Sequence, residues 1–156
     1  MPSVGTGLID LYPYRIENGF PQFLLLKRAS KKIYAGQWRM VGGKVKKGEN
    51  AWAAALRELK EETGLSPKIM WTVPTLNHFY EAGSDTLHLI PAFAAEVDPA
   101  SDISMDDEHS EFQWVSAETA IELLPWPEQC RIVCLADELI KKDKILNQWL
   151  TPSENS

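Results

Sequence analysis

Between Gly43 and Leu65 a glycine-rich stretch leads directly into a segment of alanine, leucine and glutamate, in the sequence GKVKKGENAWAAALRELKEETGL. The residues after Asn50 are strong helix formers, Asn50 can cap the start of a helix, and Gly64 can end it in a left-handed conformation. The spacing therefore predicts a helix over residues 50–63. The glycines before it predict a loop whose backbone can approach a ligand closely.

Three glutamates of the predicted helix, Glu58, Glu61 and Glu62, project from one side, because residues three and four apart are neighbours on a helix surface. Like charges placed together destabilise a helix, whereas a hard cation such as Mg²⁺ takes oxygen ligands and relieves the repulsion. Arg57 can hold a carboxylate in one orientation with its guanidinium fork. For the helix alone, a solvated face of ion pairs is the alternative. The glycines and lysines just upstream favour a metal site.

This segment carries every fixed position of the Nudix box, so the chain resembles the Nudix hydrolase family. The matching residues are Gly43, Glu49, Arg57, Glu58, Leu59, Glu61, Glu62, Gly64 and Leu65. The resemblance implies an α/β fold of the mixed α+β kind, an α/β/α sandwich around a central mixed β-sheet. It also implies a hydrolase that cleaves a nucleoside diphosphate linked to another group, with Mg²⁺ or Mn²⁺ as cofactor.

The resemblance also implies roles for residues of the box. By position, Glu58 and Glu62 are the principal metal ligands, and Glu61 is an additional ligand or the base that orients a water molecule. Arg57 and Glu49 would hold these carboxylates in place. The helix is therefore expected to carry most of the catalytic residues.

Residues before the helix are expected to meet the substrate. The carbonyl of Gly42 resembles one that the family often uses as a further metal ligand, and Gly43 belongs to the expected substrate-binding loop. Many members carry proline where this chain has Val41, which leaves the loop conformation open. Arg28 resembles a family position that meets phosphates, with a surface cation as the alternative, and Trp38 could stack on a base or seal the sheet edge.

A second acidic segment lies near the end of the chain's predicted sheet. The order of Glu108 and His109 before a tryptophan resembles the family segment that supplies an extra carboxylate, so Glu108 is expected as a metal ligand or general base. Glu111 is a weaker candidate for the same role. Asp106 and Asp107 are interpreted as an ordinary charged loop.

The substrate class is indicated by a looser similarity. Val41, the Glu108–His109 pair and the segment 126–131 are similar to the branch that includes dATP and dihydroneopterin-triphosphate pyrophosphohydrolases. A nucleoside or pterin triphosphate is therefore the expected substrate. Nucleotide sugars, dinucleoside polyphosphates and capped RNA remain alternatives within the family. A domain that binds a nucleotide without cleaving it is a further alternative, although such a sensor would have no need of every acidic residue of the box.

Length and composition bound the remaining expectations. The 156 residues, 44% hydrophobic, should form a single domain over residues 1–156 in which about 151–156 are a frayed, disordered tail. The net charge of −6 offers no basic surface for extended nucleic acid, so a small nucleotide is the expected partner. No apolar run of about 18 residues and no basic leader occurs, so we expect no membrane partner and a soluble, cytoplasmic protein. The oligomeric state stays open.

Apolar alternation and turn residues predict the other elements. Residues 4–15 and 20–27 should form a β-hairpin, and the last helix should span about 127–150. Further strands are expected at residues 38–41, 68–73, 76–81, 86–97 and 111–115, and a short helix from Ser116 that ends before Pro125.

Overall fold

A computed structural model describes residues 1–152, in which helices cover both faces of a β-sheet. The strands are β1 (Ser3–Gly5), β2 (Leu8–Glu17), β3 (Phe20–Arg28), β4 (Trp38–Arg39), β5 (Val41–Lys44), β6 (Ile69–Glu81), β7 (Thr86–Glu96) and β8 (His109–Val115). The helices are α1 (Ala51–Thr63), α2 (Ala117–Leu123) and α3 (Pro127–Lys141), followed by a short 3₁₀ helix at Asn147–Trp149.

The sheet is mixed, because β7 runs parallel to both β1 and β2 whereas the other pairs are antiparallel. Its central path runs β1, β7, β2, β3 and β4. The first half of β2 also pairs with β5, which brings the glycine strand beside the centre of the sheet. β8 pairs with β3 along the edge opposite β4, so the ends of β3, β5 and β8 lie near one another.

Two hydrophobic cores lie on opposite faces of this sheet. Ile9 and Leu11 of β2 pack against α1, whereas Tyr12 and Tyr14 of the same strand pack in the core that includes α2 and α3. A central strand that is buried on both faces alternates its side chains between the two layers. The predicted α/β/α sandwich with a mixed sheet is therefore confirmed.

The predicted hairpin and acidic helix are also confirmed. The hairpin joins β2 to β3 through Asn18 and Gly19, whose positive φ angles of 52° and 82° suit a tight turn that follows the twist of the strands. Helix α1 ends at Gly64, with φ at 76° and its N–H donating to the Lys60 carbonyl at 2.9 Å. Asn50 is the N-cap residue of the helix, as predicted, but its side chain makes no capping hydrogen bond.

Several element boundaries differ from prediction. The strand expected over residues 4–15 is interrupted before Leu8, because its first part pairs with β7 as the separate strand β1. The two strands expected on either side of Pro74 are one strand, β6, whose register with β7 shifts between Thr72 and Leu76. Helix α3 ends at Lys141 instead of continuing to residue 150. Asp143 takes φ at 52° just beyond the helix.

The predicted tail does not begin at Thr151. Its N–H and its hydroxyl both donate to the Met70 carbonyl, at 2.9 and 3.1 Å, which holds the end of the chain against β6. The remainder of that expectation, residues 153–156, lies outside the described residues. No helix within residues 1–152 has the length and apolar character needed to cross a membrane.

Candidate active site

The three glutamates of α1 line a cleft of about 790 Å³ between that helix, the glycine strand β5 and the loop before β8. Their exposure differs sharply. The side chain of Glu61 is 53% exposed and that of Glu58 is 15% exposed, whereas Glu62 is buried. The same helix face therefore presents one open carboxylate and two shielded ones to the cleft.

Arg57 connects these acids to the loop that precedes the helix. Its Nε and Nη2 donate to the two carboxylate oxygens of Glu49 at 2.8 and 3.0 Å, and Nη2 also donates to the Lys44 carbonyl at 2.8 Å. Its Nη1 donates to Oε1 of Glu58 at 2.8 Å and to Oε2 of Glu61 at 3.2 Å. A planar guanidinium that makes paired bonds fixes the orientation of its partners. Hydrogen bonds from Arg57 lower the pKa of Glu49 to about 2.

Glu62 is the most perturbed acid in the cleft. Its Oε2 is buried and receives no hydrogen bond, and its Oε1 lies 3.5 Å from Nε2 of His109. Burial, followed by the charges of Glu58, Asp106 and Glu108, raises the pKa of Glu62 to about 9. A carboxylate that is desolvated among other acids lacks a compensating positive charge. The surroundings of Glu62 therefore favour a cation.

The loop before β8 brings Glu108 to the cleft, as the sequence predicted. Oε2 of Glu108 lies 3.5 Å from Nη1 of Arg28 at the end of β3, and its carbonyl accepts a hydrogen bond from Ala29 N–H at 2.9 Å. Arg28 and Glu108 both line the cleft. Glu111 instead pairs with Lys27 at 3.0 Å and is absent from the cleft wall, so its candidate role is wrong.

Asp106 and His109 are site residues that the sequence interpretation missed. Asp106 lines the cleft, and its Oδ1 lies 2.8 Å from Nδ1 of His109, so it is more than a member of a charged loop. His109 is buried between Asp106 and Glu62. The sequence did contain one signal for His109, because it lies just before a predicted strand and directly after Glu108, the residue that was selected as a candidate.

Gly42 and Gly43 lie in β5 on the cleft wall. A Cβ added at Gly43 would overlap the carboxyl group of Glu58, and one at Gly42 would lie 3.1 Å from the Ile9 carbonyl oxygen. The glycine at position 43 is therefore required for the Glu58 carboxylate to lie against the strand. Lys44 follows in the same strand and contributes a cation to the cleft.

Trp38 lies outside the cleft. Its ring packs against the core formed with α2 and α3, and Lys27 Nζ is 5.8 Å from the ring centroid. The prediction that Trp38 binds substrate therefore does not hold for this arrangement. Arg39, the next residue, does line the cleft, and its Nε is buried without a hydrogen-bond acceptor. Burial, followed by the charge of Arg28, lowers the pKa of Arg39.

One end of the cleft combines buried polar side chains with aromatic rings. Asp10 is buried there, and its Oδ2 accepts hydrogen bonds from Asn77 Nδ2 at 2.7 Å and from Gln129 Nε2 at 3.4 Å. Burial raises the pKa of Asp10. Phe79 and Trp126 stand beside this group, with ring centroids 5.9 Å apart. The sequence interpretation assigned no role to these residues, because they are adjacent only in the folded chain.

The acidic end of the cleft has oxygen donors for a metal ion, but these oxygens do not converge on a single position. Within residues 1–152 no three histidine, cysteine, aspartate or glutamate side chains stand together as a metal-binding group. Arg57 holds Oε1 of Glu58 and Oε2 of Glu61, which leaves the second oxygen of each for another partner. The unpartnered Oε2 of Glu62 is the third such oxygen. Oxygen donors of this kind suit Mg²⁺ or Mn²⁺.

Comparison with known proteins identifies relatives over most of the chain. A family model described as NUDIX domain matches residues 13–133. The chain is 30% identical over 118 residues to the asymmetrical bis(5'-nucleosyl)-tetraphosphatase of Caenorhabditis elegans, covering 74% of this chain and 82% of that protein. It is 30% identical over 104 residues to nucleoside triphosphatase NudI of Salmonella typhimurium, covering 62% of this chain and 74% of that protein.

A third relative is matched over only part of its length. The chain is 34% identical over 110 residues to an octanoyltransferase of Myxococcus xanthus, covering 66% of this chain but 29% of that protein. Among solved structures, a C. elegans Ap4A hydrolase complex superposes with a TM-score of 0.74 at 22% identity, over 88% of this chain and 99% of that one. The E. coli dihydroneopterin triphosphate pyrophosphohydrolase gives a TM-score of 0.67 at 21% identity, over 85% and 95%. At these identities the two structures support the fold alone.

Proposed function

The chain belongs to the Nudix family of hydrolases, and on that premise we propose that it is a Mg²⁺- or Mn²⁺-dependent pyrophosphohydrolase of nucleoside or pterin triphosphates. The products would be the monophosphate and pyrophosphate. The observation that carries the proposal is the buried, unpartnered Oε2 of Glu62, surrounded by other acids in a cleft large enough for a nucleotide.

Glu58 and Glu62 would hold the metal ion, with Glu61, Glu108 and the Gly42 carbonyl as further donors. When bound, the cation neutralises charge on the phosphates and lowers the pKa of a bound water. Such a cation also supplies the positive charge that the buried carboxylate of Glu62 lacks. Calorimetric titration with Mn²⁺ would test this donor set without any substrate.

The protein's own cations would receive the phosphate chain. Arg28 and Lys44 line the cleft that holds the acidic group, although the whole chain carries a net charge of −6. Local positive charge in a cleft attracts an anionic substrate independently of net charge. Arg28 is already near Glu108, so a phosphate would share its guanidinium with that carboxylate.

The proton of the attacking water needs an acceptor that is partly free. Glu61 and Glu108 are the more exposed carboxylates of the cleft, with side chains 53% and 47% exposed. Oε1 of either residue could take the proton, because Arg57 and Arg28 contact the Oε2 atoms. Arg57 keeps the carboxylates of the helix aligned during this step.

The proposal is tested by product analysis with purified protein in the presence and absence of Mg²⁺. Canonical deoxynucleoside triphosphates and dihydroneopterin triphosphate should give monophosphate and pyrophosphate in a metal-dependent reaction. Release of single phosphates, or no metal-dependent product from any triphosphate, would contradict the proposal.

Dinucleoside polyphosphates are the second candidate substrates. This alternative is favoured by the 30% identity to the C. elegans tetraphosphatase, a match that covers 82% of that protein. Both reactions break a phosphoanhydride in the same cleft, but they give different products. Diadenosine tetraphosphate should be included in the same assay, where formation of AMP and ATP at a higher kcat/KM than any triphosphate would favour the alternative.

A further inference from the structure

The end of the cleft with Asp10, Asn77 and Gln129 contains hydrogen-bonding groups that the chemistry at the acidic helix does not use. Asp10, Asn77 and Gln129 are all nine-tenths or more buried, and they come from β2, β6 and α3. They line the same cleft as the metal-site glutamates. Three polar side chains from three elements, buried together on a cleft wall, form a rigid surface with fixed donors and acceptors.

The remaining capacity of this group is for hydrogen-bond donors. A carboxylate accepts only, so Asn77 and Gln129 turn their amide nitrogens to Oδ2 of Asp10. That orientation leaves Oε1 of Gln129 buried without a donor. Oδ1 of Asp10 lies near the backbone of Gly42. A Cβ added at Gly42 would be 3.4 Å from that oxygen. A buried acceptor such as Oε1 of Gln129 is costly unless a ligand or water supplies a donor.

A complementary donor lies in the same cleft. Nε of Arg39 is buried and has no acceptor, and its guanidinium carbon lies 5.2 Å from the centroid of the Tyr34 ring. Asp10 is close enough for its charge to act on Arg39. Nε1 of Trp126 is a second buried donor without an acceptor on the cleft wall. The cleft therefore offers two acceptors, at Asp10 and Gln129, and two donors, at Arg39 and Trp126.

Three aromatic rings stand together on the wall of the same cleft. Trp126 stands edge-on to Tyr34, with ring centroids 5.6 Å apart, and lies 5.9 Å from the ring of Phe79. All three rings line the cleft. Flat aromatic walls around a few fixed polar atoms are typical of sites that bind a planar heterocycle.

Resting on the function proposed above, we propose that this end of the cleft selects a heterocycle with a 2-amino-4-oxopyrimidine edge, with Asp10 and Gln129 as the residues that determine specificity. This edge presents a ring N–H and an amino group side by side, next to a carbonyl oxygen. The two donors match the acceptors of Asp10 and Gln129, and the carbonyl matches the donor of Arg39. Guanine and pterin share this edge.

Other bases fit this set of atoms less well. Adenine places a ring nitrogen acceptor beside its amino group, and thymine places carbonyl oxygens on both sides of its single N–H. Either would direct an acceptor at a buried acceptor. A site built to bind a particular N–H discriminates strongly against an analogue that lacks it, because its own polar groups are then left unpaired.

The test compares kcat/KM for dGTP, dITP, dATP, dTTP and dihydroneopterin triphosphate, together with calorimetric binding of the α,β-methylene analogues of dGTP and dATP. The wild type should prefer dGTP or dihydroneopterin triphosphate over dATP and dTTP by at least about tenfold. Hypoxanthine lacks only the 2-amino group, so dITP should fall below dGTP. The ratio of dGTP to the pterin substrate distinguishes the two sources of the edge.

The variants Asp10→Asn and Gln129→Met each remove one acceptor while keeping similar size. Both should lower the dGTP to dATP ratio of kcat/KM toward one, and the second variant serves if the first does not fold. Asp102→Asn, an exposed change in a loop, is the matched control and should keep the ratio of the wild type.

The outcomes separate this inference from the proposed function. Turnover of all triphosphates with equal kcat/KM would overturn the specificity proposal and leave the hydrolase intact. Selective binding of the dGTP analogue without turnover of any triphosphate would support the specificity proposal and overturn the proposed reaction. A base preference that survives in both folded variants would also overturn the roles of Asp10 and Gln129.

Discussion

Nε2 of His109 lies 3.5 Å from Oε1 of Glu62, while Nδ1 of the same ring lies 2.8 Å from Oδ1 of Asp106. This contact joins the start of β8 to the end of the acidic helix. The imidazole limits how far the Glu62 carboxylate can move, and it leaves Oε2 of Glu62 as the unpartnered oxygen. The buried glutamate is thus positioned from one side and open to a cation from the other.

Glu62→Gln is expected to lower kcat on the best substrate by at least about a hundredfold, because the amide removes a negatively charged metal donor. The amide keeps the shape of the side chain, so the melting temperature should not fall. Steady-state assays at saturating Mg²⁺ provide the measurement. Glu122→Gln, an exposed change on α2, is the control and should keep full activity. Near-normal turnover by a folded Glu62→Gln protein would contradict the assignment.

Gly43→Ala should impair catalysis more than folding. The new Cβ would overlap the Glu58 carboxyl group, so this side chain must move from its place beside Arg57. We expect kcat to fall by about tenfold or more, since small displacements of catalytic groups are costly. Gly83→Ala is the matched control, because a Cβ there meets no atom within 4 Å. Equal activity of the two variants would show that the position of Glu58 does not matter.

Arg57→Lys is expected to reduce activity although the charge is kept. Lysine cannot reproduce the paired bonds to Glu49 together with the contacts to Glu58 and the Lys44 carbonyl. A fall in kcat of about tenfold with weaker Mn²⁺ binding is the expected result. Arg131→Lys is the control, because its guanidinium binds Glu128 in a similar way on α3. If calorimetry finds unchanged Mn²⁺ affinity in Arg57→Lys, Arg57 does not organise the donor set.

Local sequence spacing predicted the parts of the site that lie close together in the chain. Glu58, Glu61 and Glu62 share a helix face at three- and four-residue spacing, which residue types alone establish. The polar group of Asp10, Asn77 and Gln129 was not predictable in this way. Its members come from distant strands and a helix, and only the folded chain brings them together.

The fold shows the same division between local and distant information. The hairpin turn at Asn18 and Gly19 has a strong local signal, and it was predicted correctly. The end of α3 had no such signal, because apolar residues continue at helical spacing past Lys141. There the Lys144 N–H donates to the Leu139 carbonyl at 2.9 Å, and the chain turns back toward β6. Packing against Trp71 decides this course, with the Trp149 ring stacked 6.4 Å away.

Tyr14 should make the stability of the fold depend on alkaline pH. Its hydroxyl oxygen accepts a hydrogen bond from Trp71 Nε1 at 3.1 Å inside the core. Burial raises the pKa of Tyr14 to about 12, whereas the pKa of a tyrosine in the unfolded chain is near its ordinary value of 10.0. The folded state therefore favours the neutral phenol. Its contribution is complete below pH 10 and is lost as the pH rises toward 12, because the unfolded chain releases the proton first.

The measurement is urea unfolding of wild type and Tyr14→Phe at a series of pH values from 7 to about 11.5. At pH 7 the variant should be less stable by about 1–3 kcal/mol, since the buried indole N–H of Trp71 loses its acceptor. Above pH 10 the difference should shrink, because two pKa units correspond to about 2.7 kcal/mol that only the wild type can lose. Tyr34→Phe, at the cleft mouth, should follow the wild type. A constant difference between wild type and Tyr14→Phe across this range would contradict the role given to Tyr14.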